Sequence, residues 1–80
     1  MARLEKWRAG MTLVETKDGD ILPAMVFAGA VSGHDRLEDG DSITTSPVKA
    51  MDEENVPPKW VQTMNTRYEL GEPYVDPKAN

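Results

Sequence analysis

The fold is decided by residues 12–32, which read TLVETKDGDILPAMVFAGAVS. The first five of these residues are rich in β-branched side chains, which favour a strand. Asp18-Gly19 follows, and this dipeptide is typical of a type I′ hairpin turn. Apolar residues then fill both alternating sets of positions over residues 21–32, which predicts a second strand covered on both faces. Because Pro23 has no N–H to donate, it indicates a sheet edge or a bulge.

Three more strands are expected beyond this hairpin. Residues 42–51 alternate as a strand does, and residues 60–64 and 67–70 flank a tight turn at Asn65-Thr66. A polar connection over residues 33–41 is rich in Gly and Asp and is expected to project as a loop. The pattern predicts a mainly β fold, a five-stranded meander curled into a small SH3-like barrel or a half-open sheet of that size. Residues 2–9 are either a strand or a short helix that plugs one end, since Leu4 and Trp7 share a helical face.

The length of 80 residues indicates one small domain over residues 1–73, followed by an extended or disordered tail over residues 74–80. A chain this short buries little surface, so we expect a homo-oligomer. The absence of cysteine excludes disulfides, thiolate zinc sites and a cysteine nucleophile. The longest mostly apolar run, residues 21–31, is about half of the ~20 residues that a membrane span requires, so it is interpreted as core.

The net charge is −5, from nine Lys and Arg against fourteen Asp and Glu. Such a surface repels nucleic acid and anionic lipid, so we expect neither direct nucleic-acid binding nor a membrane partner. A basic protein surface is a better match for this charge. The acidic loop, residues 35–41, is either solvated or a contact for such a partner.

The residues offer little for catalysis. His34 is the only imidazole, and it lies between Gly33 and Asp35 in the expected loop. The acidic loop resembles an EF-hand in the position of Gly40, but Leu37 and Ser46 stand where calcium ligands are required. The glycines do not have the spacing of a phosphate loop. We therefore expect a protein that is not an enzyme and that has no metal and no cofactor.

Two groups of residues are suited to binding instead. Hydroxyls cluster over residues 42–46, close to Lys49, and with backbone amides they are able to hold a phosphate or ribose. Trp and Tyr side chains stack on bases, although in a small core they are more often structural, and Thr is also simply a good strand former. The candidate ligand-binding residues are His34, Thr44, Thr45, Ser46, Lys49, Trp60, Arg67 and Tyr68.

At Gly33-His34, Asp39-Gly40, residues 43–48 (ITTSPV) and residues 67–73 (RYELGEP), the chain resembles small uncharacterised proteins encoded by bacteriophages and prophages. The likeness spans residues 12–74. It implies a counter-defence or host-takeover factor in the cytoplasm of an infected bacterium. Such a factor either inhibits a nuclease complex or sequesters a nucleotide immune signal. The resemblance assigns no residue a role.

The leading hypothesis is a binding protein that sequesters a small phosphorylated ligand such as a cyclic nucleotide. In this hypothesis the hydroxyls and Lys49 hold phosphate or ribose, Arg67 is a charge partner, and Trp60 or Tyr68 stacks on the base. One alternative is an inhibitor whose acidic loop occupies a basic channel of a host nuclease or CRISPR-type complex. Another is a virion or assembly component that docks through Tyr74-Val75.

Overall fold

A computed structural model of the chain describes residues 1–75 as a mainly β protein. Its strands are β1 (Ala2–Glu15), β2 (Ile21–Ser32), β3 (Ser42–Thr44), β4 (Val48–Met51), β5 (Trp60–Thr63) and β6 (Arg67–Leu70). They form one mixed sheet in the order β3-β2-β1-β6-β5-β4, which does not close into a barrel. Within residues 1–75 no helix is long and apolar enough to cross a lipid bilayer.

Of the two alternatives for residues 2–9, the strand is confirmed and the short helix is wrong, because these residues belong to β1. A bulge between Glu5 and Arg8 explains the misleading pattern. Lys6 has a φ of 51° there, and the extra residue lets Leu4 and Trp7 both face the core. A three-residue spacing that is typical of a helix is thus produced by an interrupted strand.

The expected five-stranded meander or SH3-like barrel is also wrong in its connections. β1 pairs with β6 in parallel, with Ala2 opposite Tyr68 and Leu4 opposite Leu70, whereas a meander has only antiparallel neighbours. The single strand expected over residues 42–51 is divided into β3 and β4. Thr45 causes the break, because its backbone N–H donates to the Phe27 carbonyl and its hydroxyl accepts from the Phe27 N–H.

The hairpin between β1 and β2 is confirmed, but its turn is not type I′. A type I′ turn requires positive φ at two central residues, and here only Gly19 has it, at 84°. Thr16 and Asp20 close the turn, since the Thr16 N–H donates to the Asp20 carbonyl over 2.8 Å. The loop is therefore the three-residue kind that ends on a left-handed glycine.

The core lies against one face of the sheet. Its buried apolar side chains are Ala2, Leu4, Trp7, Phe27, Val31, Val61, Tyr68 and Leu70. The outer part of the hairpin, residues 9–26, extends beyond this core and is called the arm below. Ile21 and Leu22 in the arm are 64% and 52% exposed, so the expected cover on both faces of residues 21–32 is wrong for this part.

The first residues of the predicted tail lie beside β1. Pro73 forms a bridge with Trp7, and the Tyr74 N–H donates to the Trp7 carbonyl over 2.8 Å. The Arg8 guanidinium lies 5.1 Å from the centre of the Tyr74 ring. The prediction of an extended or disordered tail over residues 76–80 lies outside the described residues.

Candidate functional site

A cleft of about 910 Å³ opens where three connections meet: the β2–β3 loop, the β3–β4 link and the β5–β6 turn. Each connection is polar, because the strands end there and leave backbone groups and turn-forming side chains. The polar and aromatic side chains that line it are His34, Asp35, Arg36, Thr44, Thr45, Ser46, Asn65, Thr66 and Tyr68. The cleft is the site that we analyse for function.

His34 forms one wall of the cleft. The centre of its ring lies 6.2 Å from the centre of the Tyr68 ring, with 26° between the two planes, so the two rings form an offset stack. His34 Nδ1 accepts a hydrogen bond from the Arg36 N–H over 3.0 Å. A neutral imidazole that accepts at Nδ1 carries its proton on Nε2, which leaves Nε2–H as a donor for a ligand.

The β2–β3 loop is fixed by its own hydrogen bonds. The Gly33 N–H donates to Asp39 Oδ1 over 2.9 Å, and the Glu38 N–H donates to Asp41 Oδ2 over 3.2 Å. Gly33 has a φ of 66°, and a Cβ there would lie 2.5 Å from the Met1 carbonyl oxygen. The loop therefore presents His34 from a defined position, and two of its carboxylates are engaged internally.

The hydroxyls of the β3–β4 link have different roles. Thr45 is buried, and its hydroxyl accepts from the Phe27 N–H and donates its only proton to the Ser46 carbonyl, so it has no donor left for a phosphate. Thr44 is exposed to the cleft. Ser46 Oγ accepts from Asn65 Nδ2 over 2.9 Å and keeps its own proton as a donor. Thr44 and Ser46 are thus available, whereas Thr45 is a structural residue.

The β5–β6 turn is held by Thr63, which is 1% exposed. Its Oγ1 accepts from the Asn65 and Thr66 N–H groups and donates to the Thr66 carbonyl over 3.0 Å. The Asn65 side chain, which joins this turn to Ser46, is therefore oriented from within the fold. Two of the three connections around the cleft are linked by this contact.

Some of the predicted site residues share the cleft and others do not. His34, Thr44, Thr45, Ser46 and Tyr68 line it. Tyr68 is only 5% exposed, so it supports His34 and does not offer its own ring for stacking.

Trp60 and Arg67 lie elsewhere, in a hollow of about 610 Å³ that Arg3 also lines. Neighbouring residues of a strand point to opposite faces, so Arg67 is separated from Tyr68, and the prediction that they share one site is wrong. The Arg67 guanidinium lies 4.3 Å from the centre of the Trp60 ring. Lys49 is exposed on β4 and does not line the cleft, so the structure does not bring it together with His34.

Two cleft residues were missed from the sequence. Within residues 1–75, Arg36 is the only Lys or Arg side chain that lines the cleft, and the acidic composition of its loop hides it in the sequence. Asn65 was interpreted only as a turn residue. Each of these residues has a feature in the sequence that points to it, because Arg36 is two residues from His34 and Asn65 lies in a predicted turn.

The clearest electrostatic feature outside the cleft is Asp52. Its pKa is lowered by the hydrogen bond from the Asn55 side-chain amide and further by those from the Lys59 and Glu54 N–H groups. The pKa of Glu5 is lowered mainly by its hydrogen bond with Arg3. Residues 1–75 contain no cluster of three or more His, Asp or Glu side chains that is placed to hold a metal ion.

Comparison of the chain with models of protein families, with curated proteins and with solved structures found no match. The chemistry of the cleft therefore has to indicate what it binds. Arg36, His34 Nε2–H and the Thr44 and Ser46 hydroxyls are donors suited to phosphate oxygens. The face of the His34 ring away from Tyr68 is suited to stacking on a planar group.

Proposed function

We propose that the protein is a non-enzymatic binding protein that sequesters a small phosphorylated ligand, such as a cyclic nucleotide, in the cleft. The observation that carries the proposal is the position of His34, stacked on Tyr68 at the edge of a cleft that Arg36 also lines. The cleft volume of about 910 Å³ is within the range of small-molecule sites, about 300–1,000 Å³.

Recognition of the ligand uses two features of the cleft, its hydrogen-bond donors and the exposed face of the His34 ring. Arg36 supplies the positive charge, and the Ser46 and Thr44 hydroxyls complete the contacts with phosphate or ribose. A base stacked on the exposed face of His34 contributes about 1–3 kcal/mol. This local set of donors explains how a chain with a net charge of −5 holds an anion. Sequestration requires affinity alone, and a nanomolar complex corresponds to about −12 kcal/mol.

The loop geometry favours this proposal over an acidic inhibitor. An inhibitor that occupies a basic channel must present its carboxylates outward. The loop carboxylates are exposed, but Asp39 and Asp41 each use one oxygen to accept a backbone N–H within the loop, and Arg36 adds an opposite charge, so fewer carboxylate oxygens are free for a basic partner. In the biological setting that the phage resemblance implies, the protein removes a nucleotide signal in the cytoplasm of an infected bacterium. That setting is part of the proposal.

The proposal is tested by isothermal titration calorimetry of the purified chain with a panel of 3′,5′-cyclic mononucleotides and cyclic dinucleotides. We expect at least one of them to bind. Arg36→Gln should weaken that binding at least tenfold, whereas Arg67→Gln, the same charge change in the other hollow, should leave it unchanged.

Three results would overturn the proposal. In the first, no nucleotide in the panel binds or shifts the melting temperature. In the second, Arg67→Gln weakens binding as much as Arg36→Gln does, which would move the site away from the cleft. In the third, chromatography of the incubated mixture shows steady conversion of the nucleotide, which would make the protein an enzyme.

A further inference from the structure

The arm, residues 9–26, continues the core-facing side of the sheet into solvent. Ala9 lies opposite Phe27 in the ladder, and Met11 and Leu13 follow on the same face, opposite Met25 and Pro23. Phe27 is buried in the core, but Met11 and Leu13 are 65% and 71% exposed. The face that packs against the core near Phe27 is therefore uncovered farther out along the hairpin.

Among the described residues, 1–75, the backbone of β1 is also unpaired along the arm on the side away from β2. Both the N–H and the carbonyl of Phe27 bond to Thr45, so Phe27 points these groups away from β1. By the alternation of an antiparallel ladder, its partner Ala9 points its own groups away from β2, as do Met11, Leu13 and Glu15. β6 pairs with β1 only over residues 2–4, and Tyr74 bonds at Trp7. From residue 9 to residue 15, β1 has no neighbour on this side within residues 1–75.

This free edge is suited to strand pairing, whereas the free edge of β2 is not. Pro23 interrupts the outward N–H groups of β2, and proline is a common protection of sheet edges. The exposed part of β1 contains no proline and no charge between Arg8 and Glu15. A two-stranded ribbon with apolar side chains is only marginally stable in water by itself. The arm therefore has the features of a contact surface.

We propose that this surface binds a second copy of the chain, β1 against β1, antiparallel about a two-fold axis. Charge favours this occupant: the chain carries −5 overall, and residues 9–14 and 21–33 carry no charge, so two copies meet there without opposing like charges. An edge that pairs with itself about a two-fold axis gives a closed dimer and not an open fibre, because both copies use the same residues.

The structure also selects the register. With the axis at Met11, Glu15 of the second copy would meet Trp7, whose carbonyl already accepts from Tyr74. With the axis at Thr12, Met11 lies opposite Leu13 of the second copy, and Ala9 lies opposite its Glu15. This register forms about eight backbone hydrogen bonds and joins the exposed Met11 and Leu13 side chains into one row. The inference does not depend on the proposed ligand.

The first test is sedimentation velocity of the full chain at micromolar concentration. We expect a dimer. Leu13→Lys places a charge in the paired row and should shift the population to monomer by at least tenfold in the dissociation constant. Leu22→Lys is the matched control, because Leu22 is an exposed leucine of the arm on the opposite face, and this variant should remain dimeric. Far-UV circular dichroism shows whether each variant folds.

The second test uses the absence of cysteine from the chain. Thr12 lies on the proposed axis, so Thr12→Cys should form an intermolecular disulfide under mild oxidation, whereas Thr16→Cys should not. If Leu13→Lys does not fold, this cross-linking test still shows whether two copies pair at Thr12. A monomeric wild-type chain at about 100 μM overturns the proposal and leaves the arm to a different partner. A dimer that survives Leu13→Lys, or equal cross-linking at both cysteines, also overturns it.

Discussion

Replacing Thr45 with valine tests whether this residue holds the fold together and does not contact a ligand. The Thr45 hydroxyl accepts from the Phe27 N–H over 3.0 Å and donates to the Ser46 carbonyl over 2.9 Å. Thr45 is 6% exposed and Phe27 is 1% exposed, so water cannot easily replace the lost acceptor. Valine has nearly the same shape, so Thr45→Val removes the hydroxyl and adds little strain.

The expected cost is that of an unsatisfied buried N–H, about 1–3 kcal/mol. This is a large part of the stability of a small domain, which is about 5–15 kcal/mol. For a domain of this size each kcal/mol lowers the melting temperature by about 4–8 °C, so a decrease between about 4 and 24 °C is expected. Urea unfolding followed by tryptophan fluorescence gives the change in the free energy of unfolding directly.

Thr44→Val is the matched control. Thr44 is adjacent and exposed, and its hydroxyl makes no hydrogen bond within residues 1–75. Substitutions at such positions usually change stability by no more than about 0.5 kcal/mol. If Thr45→Val and Thr44→Val unfold at the same urea concentration, the Thr45 hydroxyl does not stabilise the fold and the assignment is refuted.

Two further variants test the stability of the sheet. The lowered pKa of Asp52 means that its carboxylate stabilises the fold above about pH 4, its usual pKa range, and that this contribution is lost as the pH falls through the lowered pKa. Asp52→Asn should therefore lower the melting temperature at pH 7 and make the melting temperature fall less steeply as the pH is lowered. Asp20→Asn should have neither effect. Gly29→Ala should destabilise the chain by about 1–3 kcal/mol in urea unfolding, since its Cβ would lie 2.9 Å from the Glu5 carbonyl oxygen. Gly10→Ala, with no atom closer than 4.0 Å, should be tolerated, and equal costs for the two would contradict the argument.

The sequence predicts the local elements of this fold better than their connections. The β1–β2 hairpin was predictable because its strands and turn are adjacent in the chain. The parallel pairing of Leu4 with Leu70 was not, since no local pattern indicates a partner 66 residues away. The bulge at Lys6 was not predictable either. The residue with positive φ is a lysine there, and not the glycine that usually indicates such a position in a sequence.

The candidate site was predictable to a similar degree. The hydroxyl-rich segment and His34 lie on consecutive connections, and the structure brings them together. Arg67 and Tyr68 are also adjacent in sequence, yet strand alternation places them on opposite faces. Which hydroxyl is free was not predictable, since the role of Thr45 depends on Phe27, 18 residues away in the sequence.

The parallel contact between β1 and β6 has a consequence for how the protein is made. During synthesis β6, which completes the centre of the sheet, leaves the ribosome well after the hairpin does, because Leu70 follows its partner Leu4 by 66 residues. Contacts between such distant parts of a chain slow folding, and until they form, the apolar side of β1 stays accessible to other nascent chains. A chain terminated just before Arg67 would lack the strand that lies beside Ala2 and Leu4, and we expect it to aggregate.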